Sequence, residues 1–437
     1  MRIRVRNNLF LLLAAALASA PFVPAPAAAE DLVLFPYFQN NGEAGVYLSY
    51  SSDGRTFLPL NHSLPIFAPP QWAGGQNLTR DPSIVYRDGL FHMVWTSNWS
   101  GRIFGYANSP DLVSWSTPQQ VTPFPASLPA LDQPDNVWAP EIHFDEIQGN
   151  YQIVFSSTTP REENDGDGSQ DSHGNDHRLY EVRTTDFQTF APATVLFDQN
   201  YSVIDGQMAF DDRGTPAAAD DRWVMAIKRE TDPPGGKNIR LTFTNPAQSN
   251  PWSAASAPIL GPGSSLRPNE QVEGPSLIHF GNEWLLYADA YTSGHYSLIT
   301  SPDLAAWSDA TSELSFPVGH PRHGTALVVD RNLIGWRFGP RADLDNDGQI
   351  EVADRIIFRT HHLADLSGLT PLEQSLRGDL NGDGRNDVDD FVLFKSDYIA
   401  AHGEGAFLQM LAVPEPSTMV LAIGMLSAYG IGGRYPR

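Results

Sequence analysis

Five stretches between residues 81 and 329 share one pattern, and it restricts the fold more than any other feature of the chain. Each sets an acidic residue, or once a histidine, ahead of small or turn-making residues and an alternating apolar strand. They read DPSIVY at Asp81, EIHFDE at Glu141, DGQMAF at Asp205, EGPSLI at Glu273 and HGTALV at His323. A second element is interleaved: SSDGRTF, SPDLVSW, TTDFQTF and SPDLAAW place Asp53, Asp111, Asp186 and Asp303 four residues before Phe57, Trp115, Phe190 and Trp307. TNPAQSNPW, ending at Trp252, reads as a degenerate fifth copy. An aspartate in this position bonds its own backbone to set a turn, and the aromatic folds back over the preceding strand.

Both elements recur at roughly sixty-residue intervals, the period of a four-stranded propeller blade rather than of a helical solenoid. The hairpin at Asp53 has no acidic strand before it, and the strand at His323 has no hairpin after it. The N-terminal strands are therefore expected to complete the blade begun by residues 323 to 338, closing a ring of five. A two-sheet sandwich would give no reason for acids in register at this period. In a propeller the first strand of each blade lines the central channel, so Asp81, Glu141, Asp205, Glu273 and His323 are expected to meet in one pocket. Gly274 and Pro275 are expected to hold the turn that aims Glu273 at the axis.

Composition agrees with an all-β chain: 41% of residues are apolar, and 36 glycines with 35 prolines point to many short strands and turns. A formal net charge of −23 argues against nucleic acid or an anionic membrane surface as partner and leaves neutral polymers and cations. With no cysteine there is no disulfide framework and no thiolate chemistry. The opening MRIRVRNNLFLLLAAALASAPFVPAPAAAE, basic and then apolar with a small-residue exit, predicts a signal peptide over 1–29 and an exported protein.

Carboxylates crowded in a partly desolvated pocket cannot all ionise at their free pKa, so one is pushed up and becomes a proton donor near neutrality. Glycosidic bond cleavage needs this, with a second carboxylate to activate water or attack the sugar. Metal-dependent hydrolysis fits less well, because no second histidine stands at ligand spacing from His323. Trp95, Trp99, Trp138, Tyr287 and Tyr291 fall near the expected rim, where they would either stack on sugar faces or pack between blades.

RDPSIVYRDGLFHMVWT, VWAPEIHFD, YSVIDGQMAFDD, VEGPSLIHFGNEWLLY and HPRHGTALVV, in that order, resemble glycoside hydrolase family 43 over residues 31 to 338. The resemblance implies a five-bladed propeller and an inverting hydrolase acting mostly on arabinose- and xylose-containing glycans. Carried over by position, it makes Asp81 the general base, Asp205 the residue that raises the acid's pKa, and Glu273 the general acid. Glu141, Trp138, Trp99, Tyr291 and His323 would bind the sugar, with His323 on the axis beneath the site beside a water or a calcium ion. IDG at Ile204 to Gly206 departs from the family's IDP but keeps the aspartate. Residues 160–178, PREENDGDGSQDSHGNDHR, are an insertion in the second blade, expected as a solvated loop. Two other readings stay open: a retaining hydrolase of the sucrose and fructan type, and a propeller that binds glycan without cleaving it.

Beyond the propeller, expected over 30–340, DLDNDGQIEVAD and DLNGDGRNDVDD each match a twelve-residue calcium loop with glycine at the sixth position. The oxygen ligands would be Asp343, Asp345, Asp347 and Asp354, then Asp379, Asn381, Asp383 and Asp390. Each loop is followed by an apolar-periodic helix, so residues 341–403 resemble a dockerin module. A cohesin-like partner and a stand-alone calcium module are both compatible with it. Residues 404–412 are expected as linker. The end, from VPEPST at 413 to residue 437, resembles a PEP-CTERM sorting tail, which implies a Gram-negative bacterium, export, and only transient membrane contact.

Overall fold

The computed structural model describes residues 31–214, 221–245, 251–317, 320–330, 333, 340–345, 349–369 and 371–412; the expected signal peptide, the sorting tail and Asp347 lie outside them. Five antiparallel sheets occupy residues 31 to 330. Blade I runs Arg80–Arg87, Leu90–Thr96, Phe104–Ser109 and Gln119–Val121, and blade II runs Trp138–Asp145, Asn150–Ser157, Arg178–Thr184 and Thr194–Phe197. Blade III has three strands, Val203–Asp211, Arg222–Arg229 and Asn238–Phe243, with single bridges from Ile239 to Leu260 and from Thr244 to Trp252 at its outer edge. Blade IV runs Glu273–Phe280, Glu283–Ala290, His295–Ser301 and Ser308–Asp309.

Blade V closes the ring as the order of the repeats requires. Its inner strand, Leu327–Asp330, pairs antiparallel with Asp31–Tyr37, followed by Tyr47–Ser51 and Leu58–Pro59. The shared blade ties the two ends of the ring together, and the inner edges that remain face the axis. The protein is thus mostly β, a five-bladed propeller with a small helical region after it.

The repeated aspartates act as the sequence suggests. Oδ1 of Asp53, Asp111, Asp186 and Asp303 each accepts the backbone N–H groups two and three residues on. Ser51, Ser109, Thr184 or Ser301, two residues earlier, donates its hydroxyl to the same oxygen. The residue after each aspartate is left-handed, and in the first copy it is Gly54. The turns deliver aromatics and neighbouring apolar side chains into the seams between blades. Phe57, for example, is buried against Phe35, Tyr287 and Phe316. Trp95 and Tyr287, expected near the rim, are wholly buried in such seams.

The C-terminal region holds helices Val352–Thr360, Pro371–Ser375, Val388–His402 and Glu404–Ala412 around Phe358, Phe394, Tyr398, Phe407 and Met410. Capping boxes start the two long loop-following helices, pairing Glu351 with Asp354 and Asp387 with Asp390. Residues 404–412 are not a linker. Phe407 and Met410, three apart on one helical face, drop into this core and fold the segment onto it.

Candidate active site

Each inner strand enters its blade through the same irregularity. The register slips between Arg80 and Ser83, Trp138 and Glu141, Ile204 and Gln207, and Glu273 and Ser276. At each slip one residue is left-handed: Asp81 (φ 50°), Ala139 (46°), Asp205 (55°) and Gly274 (54°). His323 (21°) holds the matching place in blade V. Bulges of this kind re-aim side chains at sheet rims, and non-glycine residues at positive φ cost of order 1 kcal/mol or more each. The strain is therefore concentrated where the ring of functional side chains begins.

Asp81, Asp205, Glu273 and His323 line one cavity of about 290 Å³, with Arg80, Thr96, Trp99, Trp138, Lys228 and Glu230. Three blades thus bring their acids together, and His323 stands with them, its Nδ1 3.3 Å from Asp81 Oδ1. Trp138 and Trp99 meet edge to face at 6.1 Å, and Arg80 lies over the Trp99 ring at 4.0 Å. Trp99 is 54% exposed, a wall open to a ligand. Tyr291 stands behind the site, with Lys228 Nζ 5.1 Å from its ring centre and its hydroxyl donating to Gln271.

Glu141 is not in this cavity. The bulge registers show why: it lies two residues beyond Ala139, so its equivalents are Ser83, Gln207, Ser276 and Thr325, one layer deeper on the axis. It is buried in a second cavity of about 310 Å³, where Thr325 donates its hydroxyl to Glu141 Oε1. Burial pushes its carboxyl up to about 7 against that hydrogen bond. The same ring is satisfied across blades: Ile142 N donates to Ser83, Leu277 N to Gln207 and Ala326 N to Ser276.

The electrostatics also differ from expectation. Glu273, expected to be the carboxyl with the raised pKa, sits between two cations: Lys228 Nζ lies 3.2 Å from Oε2 and Arg322 Nη2 lies 3.0 Å from Oε1. Burial acts upward on it, but Lys228, His323 and Arg322 hold it down at about 2. Asp205 is the raised group. Burial and the charge of Glu273 lift it to about 6, although His323, Lys228 and a hydrogen bond from Gly274 N oppose the rise. Lys228 and Arg322, neither foreseen from the sequence, decide this contrast. Lys228, on the second strand of blade III, is paired also with Glu230 at 2.7 Å, and Arg322 is fixed by Asp289 at 2.7 Å. Against the opposing effect of burial, Asp205, Asp81, Glu273 and Glu141 draw His323 above its ordinary pKa.

IDG in place of IDP has a steric reason. A Cβ on Gly206 would lie 2.4 Å from Leu179 Cδ1 of blade II, so any side chain there would displace the buried Leu179.

In the helical region, carboxylate oxygens of Asp343, Asp345 and Asp354 lie within 4.8 Å of one another, as do those of Asp379, Asp383 and Asp390. Asn381 turns inward to its own loop, its Oδ1 accepting from Asp383 N and its Nδ2 donating to Asp383 Oδ2. Burial raises Asp354, Asp379 and Asp390 above the usual carboxylate range, and like-charged neighbours add to it. Three oxygen donors gathered around one point suit a hard cation.

The family model described as "Probable glycosyl hydrolase domain", related to family 43, matches residues 31–333. Among curated proteins none matches the chain. Solved structures resemble it distantly. A family 43 protein from Bacillus licheniformis is 17% identical over 53% of this chain and 41% of its own, TM-score 0.39. An exo-beta-1,3-galactanase from Phanerochaete chrysosporium is 15% identical over 56% of this chain and 52% of its own, TM-score 0.39. An alpha-L-arabinofuranosidase from Lactobacillus brevis is 17% identical over 53% of this chain and 72% of its own, TM-score 0.37. The chain spans about half or less of the first two, and likeness this low bears on no residue role. The match over residues 31–333 is what places the protein: the chain belongs to this family 43-related glycosyl hydrolase family.

Proposed function

We propose that the protein is an exported, inverting glycoside hydrolase acting on arabinose- or xylose-containing glycans. The observation that carries the reading is the meeting of Asp81, Asp205 and Glu273, from three blades, in one aromatic-walled cavity. Asp81 takes a proton from a water whose oxygen attacks the anomeric carbon. The bond to the departing oxygen breaks as that oxygen receives a proton from the acid, and the carbon inverts. Of the Asp205 and Glu273 pair, Asp205 is the carboxyl whose proton affinity is raised. Glu273, protonated in the productive complex, delivers its proton to the leaving group. The two acidic clusters would hold calcium, which supplies charge neutralisation to residues 341–412, a dockerin-like module. The signal peptide and sorting tail would route the protein to the surface of a Gram-negative bacterium.

The Lys228 and Arg322 contacts, which keep Glu273 ionised, favour one second reading: a propeller that binds glycan without turnover. Kinetics on aryl arabinofuranosides and xylosides, with NMR of the released anomer, separate the two. The wild type should release the inverted anomer. Glu273→Gln should lose hydrolysis of poor leaving groups by at least about a hundredfold while sparing activated aryl glycosides, and Asp81→Asn should fold yet lose both. Retention of configuration, or equal loss on both substrates in Glu273→Gln, would count against the assignment.

A further inference from the structure

The insertion at 160–178 does not trail in solvent: Asp171, His173, Asn175 and His177 line the cavity that holds the three acids. Its base is fixed by Arg178, whose Nη2 lies 2.8 Å from Asp165 Oδ2 and 2.9 Å from Asp176 Oδ2, with Asp198 at 3.3 Å from Nε. Its tip is a closed turn. Asp171 Oδ1 accepts from His173 N at 2.8 Å and Asn175 N at 3.0 Å, while Asp171 N donates to Asn175 O at 2.8 Å.

His177, at the return of this loop, is 1% exposed and stacks on Trp138 with ring centres 4.9 Å apart. Burial lowers its pKa to about 4, so the ring is neutral. Ser202 Oγ accepts from His177 N at 3.2 Å and stands 3.4 Å from Nδ1, to which its own hydroxyl hydrogen is free to donate. With Ser202 as donor to Nδ1, the ring proton sits on Nε2. Among the described residues Nε2 has no partner. A buried N–H donor left unpaired costs about 1–3 kcal/mol, a cost that a ligand or a held water relieves. The cavity volume of about 290 Å³ equals the share of about ten waters in the liquid. That space holds a pentosyl or hexosyl residue, with the inserted loop lining one side of it.

We propose that His177 is a specificity-determining residue that donates its Nε2–H to a ring hydroxyl of a single sugar, and that the inserted loop makes the site a one-sugar, chain-end pocket. The inference rests on the glycan-active reading of the same cavity. The ligand class is a neutral terminal pentosyl or hexosyl unit. Trp99 and Trp138 supply apolar faces, and His177 reads one hydroxyl.

Titration calorimetry on the full chain tests this without any need for turnover. L-Arabinose, D-xylose, D-galactose and their trisaccharides are titrated into the wild type, His177→Phe and His177→Gln. The wild type should bind at least one monosaccharide, and its trisaccharide less than tenfold more tightly. His177→Phe, which keeps the stack on Trp138, should weaken binding roughly tenfold. His177→Gln, which returns an N–H donor, should recover most of the loss and shows that the phenylalanine effect is not general unfolding. No monosaccharide binding by the wild type, unchanged affinity in His177→Phe, or a trisaccharide preference well above tenfold would each overturn the proposal. If the predicted binding pattern holds while no glycoside is cleaved, the hydrolase reading fails and the one-sugar pocket stands.

Discussion

Asp205 and Glu273 are neighbours with opposite fates, and the cause is a pair of cations. Lys228 and Arg322 both touch Glu273, whereas Asp205 receives one backbone N–H and feels its charged partners at longer range. The linkage signs oppose each other. Glu273, held at about 2 in the folded protein, adds stability above its unfolded value, lost as the pH falls toward 2. Asp205, raised from 3.8 to about 6, adds stability only below the unfolded value and loses it as the pH rises through 6. A shift of this size corresponds to about 3 kcal/mol at most. Asp205→Asn keeps an acceptor for Gly274 N and removes the buried ionisation. It should therefore abolish hydrolysis yet melt higher than the wild type at pH 7, with the difference shrinking toward pH 4. Thermal melts at the two pH values check this, and a lower melting point at pH 7 would contradict it.

At the scale of the element, the unit that builds the site is the bulge at the start of each inner strand. One left-handed residue per blade tilts the chain so that its neighbours face the axis. Blade IV is the only one to place glycine there among Asp81, Ala139, Asp205, Gly274 and His323. A Cβ on Gly274 would stand 2.5 Å from His323 Cδ2, so the glycine is needed for space as well as for φ. Gly274→Ala should destabilise the protein by about 1–3 kcal/mol and lower kcat by at least tenfold, because His323 must move from its place beside Asp81. Urea unfolding and steady-state kinetics measure the two effects; full activity would show that His323 does not need its position. The bulges also explain the misplacement of Glu141. Aligning acid to acid ignores the extra residue each bulge inserts, and a two-residue offset on a strand keeps a side chain facing inward but moves it one layer down.

In the whole molecule, ring closure and the helical region solve different problems. The propeller is held by hydrophobic seams between blades, with Leu327–Asp330 locked to Asp31–Tyr37. The region after residue 340 has one small core and two clusters of like charges, which calcium would neutralise in the proposed reading. Chelation should therefore melt residues 341–412 well below the propeller, giving two calorimetric transitions where the calcium-loaded protein shows the helical region stabilised. A profile indifferent to chelator and calcium would remove metal from the account.

The sequence by itself determined the ring. Its repeats count the blades, its unmatched first hairpin and last strand announce the closure, and its acids mark three inner strands that share the cavity. Even the side-chain turns at Asp53, Asp111, Asp186 and Asp303 were legible, because they are local hydrogen bonds within four residues. What the tertiary structure decided depends on chain segments remote from one another: the depth of Glu141, the pairing of Glu273 with Lys228 and Arg322, and the insertion that brings His177 to the cavity of the three acids. Local propensity fixes which way a strand begins. Proton affinity and pocket shape follow from the burial and charge that distant segments impose on one another, and those exist only once the ring has closed.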